Sequence, residues 1–293
     1  MSIDPDKKSR QLGSEMKCQQ ILFFFPKNKD VIVSKRLSLI IFSILSFPSY
    51  AGTLGEDVLV YPWFGSIGTG YSWTEKPGIV NPNPAQWAFS AEGYDADLGN
   101  RGFYSFALGK QVHDYIDVSI SYLVHEVFNY QKFQTAPPGI SGPATGDIRT
   151  RYFDLDNRAI LVNGFLHPMK AWSNFANVAF TPFIGGGIGY AYNEVRDFHT
   201  VARLVAAGVP IGSITSIGNP ASRSSFAWQA SAGVSLKPQQ SHFSVDVGYR
   251  YYDGGKFEGS SRVFGNADGF VGLSPWEGRL KANQAFVEFK YTT

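Results

Sequence analysis

The stretch HFSVDVGYRYY, His242–Tyr252, alternates without a break. In an extended chain Phe243, Val245, Val247, Tyr249 and Tyr251 fall on one face, and Ser244, Asp246, Gly248, Arg250 and Tyr252 on the other. A strand built this way separates an oily environment from a polar one. From Val178 to the C-terminus the same device recurs, with about ten residues of alternation followed by a turn or a long polar loop. Many such strands behind a secretion signal point to a bilayer as the oily side.

The chain has 293 residues, 44% of them hydrophobic, with 31 Gly, 6 Trp, 15 Tyr and 24 Phe. This aromatic and glycine content suits strands, tight turns and interfacial belts better than helices. Lys35 and Arg36 precede the 11-residue apolar run LSLIIFSILSF and then Pro48-Ser49-Tyr50-Ala51. A basic start, a short apolar core and small residues at 49 and 51 predict a signal peptide over 35–51, cleaved after Ala51. The run is too short to cross a membrane as a helix, and an internal signal-anchor is the alternative. Residues 1–34 read as a non-native extension or a mis-assigned start, with the true start near Val31 or Val33. Residues 52–293 then form one domain.

Of the 26 Lys/Arg and 24 Asp/Glu, 8 and 4 lie in residues 1–51, leaving 18 and 20, a net charge of −2. The basic balance therefore belongs to the leader, and nucleic acid is not an expected partner. The single cysteine, Cys18, also lies there, so the rest of the chain carries neither a disulfide framework nor a thiolate site.

Eight strands are expected, near 60–74, 102–112, 115–130, 151–166, 178–195, 223–237, 242–253 and 280–291. Their connections alternate in length. Long ones include EKPGIVNPNPAQ (75–86), QTAPPGISGPATGD (134–147) and the stretch Arg196–Ser222; short ones are His113-Asp114 and PQQS (238–241). HPMKAWSNFAN (167–177) is intermediate. Short turns at one end and long loops at the other predict an all-β, eight-stranded antiparallel up-and-down transmembrane β-barrel, closed because the strand number is even. A soluble lipocalin-like barrel is the alternative, but it would be apolar inside. Here Gln229, Ser231, Gly233 and Ser235 take the inner face of one strand, and Phe226, Trp228, Val234 and Leu236 the outer. Aromatic residues at strand ends predict two girdles. The outer-surface girdle would hold Tyr71, Trp73, Phe128, Tyr130, Tyr190, Tyr192, Tyr249 and Tyr251. The periplasmic one would hold Trp63, Phe64, Tyr115, Phe183, Phe243, Phe289 and Tyr291.

TPFIGGGIGYAYNE (181–194), FAWQASAGVSL (226–236) and DVGYRYYDGG (246–255), with FALGKQVHDYIDVSISY (106–122), resemble the opacity-type, outer membrane protein A-like β-barrel family in content and order. The resemblance implies a barrel in a Gram-negative outer membrane with mobile surface loops. Its partners would be outer-membrane lipid and lipopolysaccharide, the outer-membrane assembly machinery, and a host or surface ligand held by the loops. Two departures stand out: no peptidoglycan-binding domain is expected after the last strand, and Thr292-Thr293 replace the aromatic end the assembly machinery reads.

Asp246, Arg250, Glu288 and Lys290 have inward parity on neighbouring strands, and Asp117 joins them from the third. They could form a gated path or an ion-selective constriction. They could equally form an internal salt-bridge cluster, and the narrow interior of eight strands favours the cluster. His242-Phe243-Ser244 resembles the His-x-Ser pair of lipid A deacylase barrels. Both residues have inward parity, however, away from acyl chains, and Val245 replaces the usual Asn. His113, His125, His167 and His199 are dispersed and read as turn or interfacial residues. Gly185–Gly187 lacks the Lys-Ser/Thr of a phosphate loop and reads as room for side chains packing across the barrel. No cofactor, metal or catalytic residue is expected. The predicted function is non-enzymatic: an envelope structural or adhesin-like surface-interaction protein with four extracellular loops. A narrow channel for ions or small solutes is the alternative, and a lipid A-modifying hydrolase is a third class.

Overall fold

The computed structural model describes residues 61–80, 96–135, 148–169, 173–175, 177–202, 212–265, 269–272 and 275–293. The expected signal peptide, its expected cleavage point and the 1–34 and 35–51 boundaries lie outside these residues. Thirteen strands run in order: β1 Trp63–Thr74, β2 Asn100–His113, β3 Ile116–His125, β4 Phe128–Thr135, β5 Ile148–Leu166, β6 Ser173–Phe175 and β7 Val178–Ala202. They continue with β8 Ile214–Gly218, β9 Ala221–Pro238, β10 Phe243–Glu258, β11 Arg262–Gly265, β12 Gly269–Gly272 and β13 Glu277–Thr292.

Eight of these make a wall. Each pairs antiparallel with its sequence neighbour, β1 with β2, β2 with β3, β3 with β5, β5 with β7, β7 with β9, β9 with β10 and β10 with β13. Phe64↔Thr292 through Thr74↔Ala282 then join β1 to β13 and close the ring. The eight-stranded up-and-down barrel is therefore observed directly in the register. Short turns and the end of β13 lie at one mouth; the long connections lie at the other.

The alternation sorts side chains as the sequence predicts in the middle of the wall. Ile67, Phe106, Leu108, Ile160, Ile184, Ile188, Phe226, Val247 and Phe289 point outward and are exposed, each by more than 40%. An uncharged belt of this size running round a closed sheet is what lipid requires, and soluble surfaces do not carry one. Tyr71, Trp73, Tyr190, Tyr192 and Tyr249 rim the belt toward the long connections; Trp63, Tyr115, Phe243 and Tyr291 rim it at the short-turn mouth.

Four expected girdle members are instead inside. Phe64 and Phe183 are buried because their parity is inward, opposite to Trp63 and Ile184. Phe128 and Tyr130 are fully buried for a different reason. Val124 pairs with Arg158 and Phe128 with Leu155, so β3–β4 advances four residues while β5 advances three. The extra residue at Glu126–Val127 is a β-bulge, and it reverses the facing of everything after it.

Inward aromatic residues lie over glycines of the adjoining strand. A Cβ on Gly109 would collide with Phe64, on Gly70 with Phe103, on Gly185 with Phe165, on Gly233 with Phe183 and on Gly248 with Phe286. The glycine run at 185–187 thus makes room for side chains of the adjacent strand, Phe165 and Asn163, rather than for ones across the barrel.

The strands also overshoot the bilayer. A tilted span needs about 9–11 residues, whereas β5 has 19 and β7 has 25. The expected loop over Arg196–Ser222 is partly strand: β7 continues to Ala202, and β8 pairs with it and with β11, which pairs with β12. Inside this extension Tyr130 stacks on Phe153 at 4.5 Å, and Phe153 and Phe198 pack on Trp276 at 4.9 and 5.7 Å. Leu98, Leu155 and Leu280 are fully buried beneath them.

Gly185→Val should destabilise the refolded barrel by about 1–3 kcal/mol in urea titrations, because the added methyls meet the Phe165 ring. Gly164→Val, at an outward position with open space around its Cβ, should leave the midpoint within about 0.5 kcal/mol of wild type.

Candidate functional site

Every member of the predicted charge group, Asp117, Asp246, Arg250, Glu288 and Lys290, points into the barrel, but they do not form one ion-pair network. Asp117 accepts from Lys290 Nζ at 2.7 Å and from His167 Nε2 at 3.2 Å. His167 is thereby a member of the group rather than a turn histidine. Glu288 accepts a hydrogen bond from Ser66 Oγ. Arg250 has no carboxylate within ion-pair distance among the described residues. Its Nε donates to Gln284 Oε1 at 2.7 Å, and its guanidinium lies 4.7 Å from the Phe103 ring centre and 5.4 Å from that of Phe286. Lys290 sits over Phe64 at 4.0 Å. The inward rings therefore cover faces of the cations that acids do not reach.

Above Arg250 lies a set of neutral groups that the sequence reading did not assemble. Gln284 Nε2 donates to Ser72 Oγ at 2.8 Å and to His125 Nε2 at 2.7 Å. With that nitrogen accepting, His125 Nδ1 carries the proton and donates to Asn157 Oδ1 at 2.8 Å. The Tyr252 hydroxyl donates to the same oxygen at 3.0 Å. Asn157 Nδ2 donates to Asn193 Oδ1 at 2.6 Å, and Asn193 Nδ2 donates to the carbonyls of Gly254 and Lys256. The expected interfacial His125 is instead buried, between the rings of Phe103, Phe128 and Tyr252. A separate polar set lies on β3, β5 and β9, where Asn163 donates to Ser121 at 2.9 Å and accepts from Gln229 at 2.7 Å. Inward parity of isolated Asn and Gln residues in otherwise apolar strands was the available signal.

The interior thus has three storeys between its mouths: charges at the short-turn end, amides and an imidazole in the middle, and the aromatic roof in the extension. Outside the belt, on the extension, Glu277 accepts from Arg223 at 2.6 Å and Lys256 at 2.8 Å, and Arg279 bonds Asp253 at 2.7 Å. The bonds from Lys256 and Arg223 hold the Glu277 carboxyl below its ordinary value.

His242 and Ser244 do not form a nucleophile pair. His242 is exposed rather than inward, with Nδ1 bonded to the Thr292 carbonyl at 2.9 Å, while Ser244 is buried. Among the described residues no group of three or more acidic or histidine side chains is placed to hold a metal ion.

Closed ring, apolar belt and filled polar interior define an eight-stranded transmembrane β-barrel of the outer-membrane type, similar in motifs and architecture to the opacity-type, outer membrane protein A-like barrels. Among solved structures the chain is similar to the outer membrane protein AlkL in lipid bilayers (14% identity, 84% of this chain and 97% of that one, TM-score 0.38). It is likewise similar to OprG from Pseudomonas aeruginosa (12%, 79% and 95%, 0.37) and to the outer membrane protease OmpT from Escherichia coli (8%, 81% and 99%, 0.41). These likenesses are distant, and the class rests on register and belt alone. No family model and no curated protein matches the chain.

Two measurements follow. Lys290→Met should cost about 1–3 kcal/mol, because it leaves Asp117 with His167 alone, and a cycle with Asp117→Asn should return an interaction energy of about 1–3 kcal/mol. For Glu277, a lowered carboxyl contributes stability above its unfolded value and loses it as pH falls through the folded one. Protease cleavage of the extension should therefore rise below the ordinary carboxylate range, and Glu277→Gln should flatten that dependence.

Proposed function

We propose that this is a non-enzymatic barrel of a Gram-negative outer membrane, structural or engaged in surface interaction through the four long connections that its extension raises above the bilayer. The observation that carries the reading is the obstructed interior. Arg250, Gln284, His125 and Tyr252 bond or stack across the middle, and Trp276 packs on Phe153, Phe198 and Phe257 in the extension. A wall of eight strands leaves width enough only for side chains. What can vary between such barrels is then the connections, where binding residues concentrate.

On this reading the short-turn mouth faces the periplasm and the extension faces the cell surface, as short turns and long loops do in outer-membrane barrels. The belt would face lipid and lipopolysaccharide, and β13 would present its alternating Ala285, Val287, Phe289 and Tyr291 to the assembly machinery. A narrow channel is the second reading, favoured by the charged lower storey. Two groups placed as they are at His242 and Ser244 give a hydrolase no activated nucleophile.

Refolded protein in planar bilayers is expected to give no stepwise current, and an epitope inserted in the 136–147 connection should be reached by antibody on intact cells. Sustained unitary currents would move the reading to the channel. An epitope hidden until the cells are lysed would reverse the orientation.

A further inference from the structure

On the lipid face of the wall an open trough of about 670 Å³ crosses β3, β5, β7 and β9. Its floor is the row Val118, Gly164, Gly186 and Ala230, each paired in register with the next. The row above it, toward the extension, is Val162, Ile188 and Trp228, and the row below is Leu166, Ile184 and Ala232. Gly70, Gly109, Gly185, Gly233 and Gly248 leave room for a neighbouring ring, but the two floor glycines do not. A Cβ on Gly164 would meet nothing within 4 Å, and one on Gly186 would meet only the Gln229 carbonyl, at 3.5 Å. Glycine weakens a strand, and the protein's own packing gives no return for it here.

The belt around the trough is uncharged and faces hydrocarbon, so a lipid chain or the wall of a second copy must fill it. Shape decides between them. Three strand spacings give the floor a length of about 14 Å, close to the roughly 15 Å that one leaflet's hydrocarbon occupies. The trough is one residue row wide and runs obliquely, because the strands are tilted. A second barrel is rigid and convex, and would touch such a trough only where the two curves meet. A flexible chain can lie along all of it. The floor also climbs. Val118 is two residues from the start of β3 at the short-turn mouth, whereas Tyr251, which continues the row beyond Ala230, is eight residues from the start of β10. The trough therefore ends high, beside Trp228 and Tyr251, whose rings are 5.4 Å apart. Rings with a polar edge sit at headgroup level.

We propose that this trough is a binding groove for one acyl chain of a bilayer lipid in the leaflet on the extension's side. The headgroup lies beside Trp228 and Tyr251, and the chain runs down over Gly186 and Gly164 toward Val118. Bare backbone lets the chain sit a side chain's depth closer to the wall than elsewhere on the belt, which adds dispersion contacts. The floor's backbone groups are spent on the ladder to neighbouring strands, so the chain meets no unpaired polar group. The groove belongs to the face of the barrel and holds whichever way the barrel is oriented in the cell.

Photolabelling in vesicles tests this. The refolded protein is placed in phosphatidylethanolamine–phosphatidylglycerol vesicles containing a trace of phosphatidylcholine with a diazirine on one chain. The diazirine lies near the glycerol in one probe and at the chain terminus in the other, and adducts are mapped by peptide mass spectrometry. The yield on Val162, Ile188 and Trp228 should be roughly fivefold above that on Ile67 and Phe289 across the ring, a preference of about 1 kcal/mol. The glycerol-end probe should favour Trp228, and the terminal probe Val118. Gly164→Leu with Gly186→Leu fills the trough at positions where a side chain has room. It should bring the yield down to that at Ile67 with heat-modifiable migration unchanged, and Gly164→Leu alone serves if the pair does not refold. Even labelling round the ring, the reverse order of the two probes, or unchanged labelling of the filled variant would overturn the groove. So would a cross-linked dimer that the filled variant loses, which would assign the face to a second copy.

Discussion

The packing of inward rings onto bare glycine backbone is the constraint on which the rest depends. Eight strands enclose a space that side chains must fill, yet two large residues facing each other across neighbouring strands would not fit. Phe64, Phe103, Phe165, Phe183 and Phe286 each occupy room left by a glycine next door. The exchange brings apolar area inward without widening the cylinder. It also sets the electrostatics, because Arg250 and Lys290 lie on those rings. Remove the glycines, and the cations lose the surfaces that let them sit inside.

The two faces of each strand solve opposite problems with one periodicity. Outward, there is nothing to hydrogen-bond, so the belt is aliphatic and aromatic, and backbone groups are satisfied only by the neighbouring strands. Inward, every amide needs a partner, and Asn157, Asn193, Gln284 and His125 supply one another. Asn193 binds the carbonyls of Gly254 and Lys256, where Gly255 adopts a φ of 75° and the β10–β13 register shifts. The polar middle thus also fixes the bend at which the wall passes into the extension.

How much of this was legible in the sequence depends on where one looks. For Phe243–Tyr252 the period of two suffices, and every residue from Phe243 onward faces as its position predicts. Strand number, closure and the inward charges follow by the same rule. The rule failed at Phe128 and Tyr130, because a bulge at Glu126–Val127 adds a residue on one strand only, and a single sequence carries no mark of its partner's count. It failed in another way at Phe64 and Phe183, where aromatic type was given more weight than parity. The strands' overshoot was hidden because β8, β11 and the end of β7 are rich in turn-forming and polar residues that read as loop. Pairings inside the charge group were equally out of reach, since they depend on which rotamer meets which neighbour and not on facing alone.

The seam between β1 and β13 joins positions as far apart as Phe64 and Thr292. No earlier stretch of chain can substitute for that partner, because every other wall strand already has both neighbours. The seven preceding wall strands therefore carry two unsatisfied edges until β13 enters between β10 and β1, and lose both in one step. A chain cut short anywhere in β13 stays marked by open edges that degradation machinery can read.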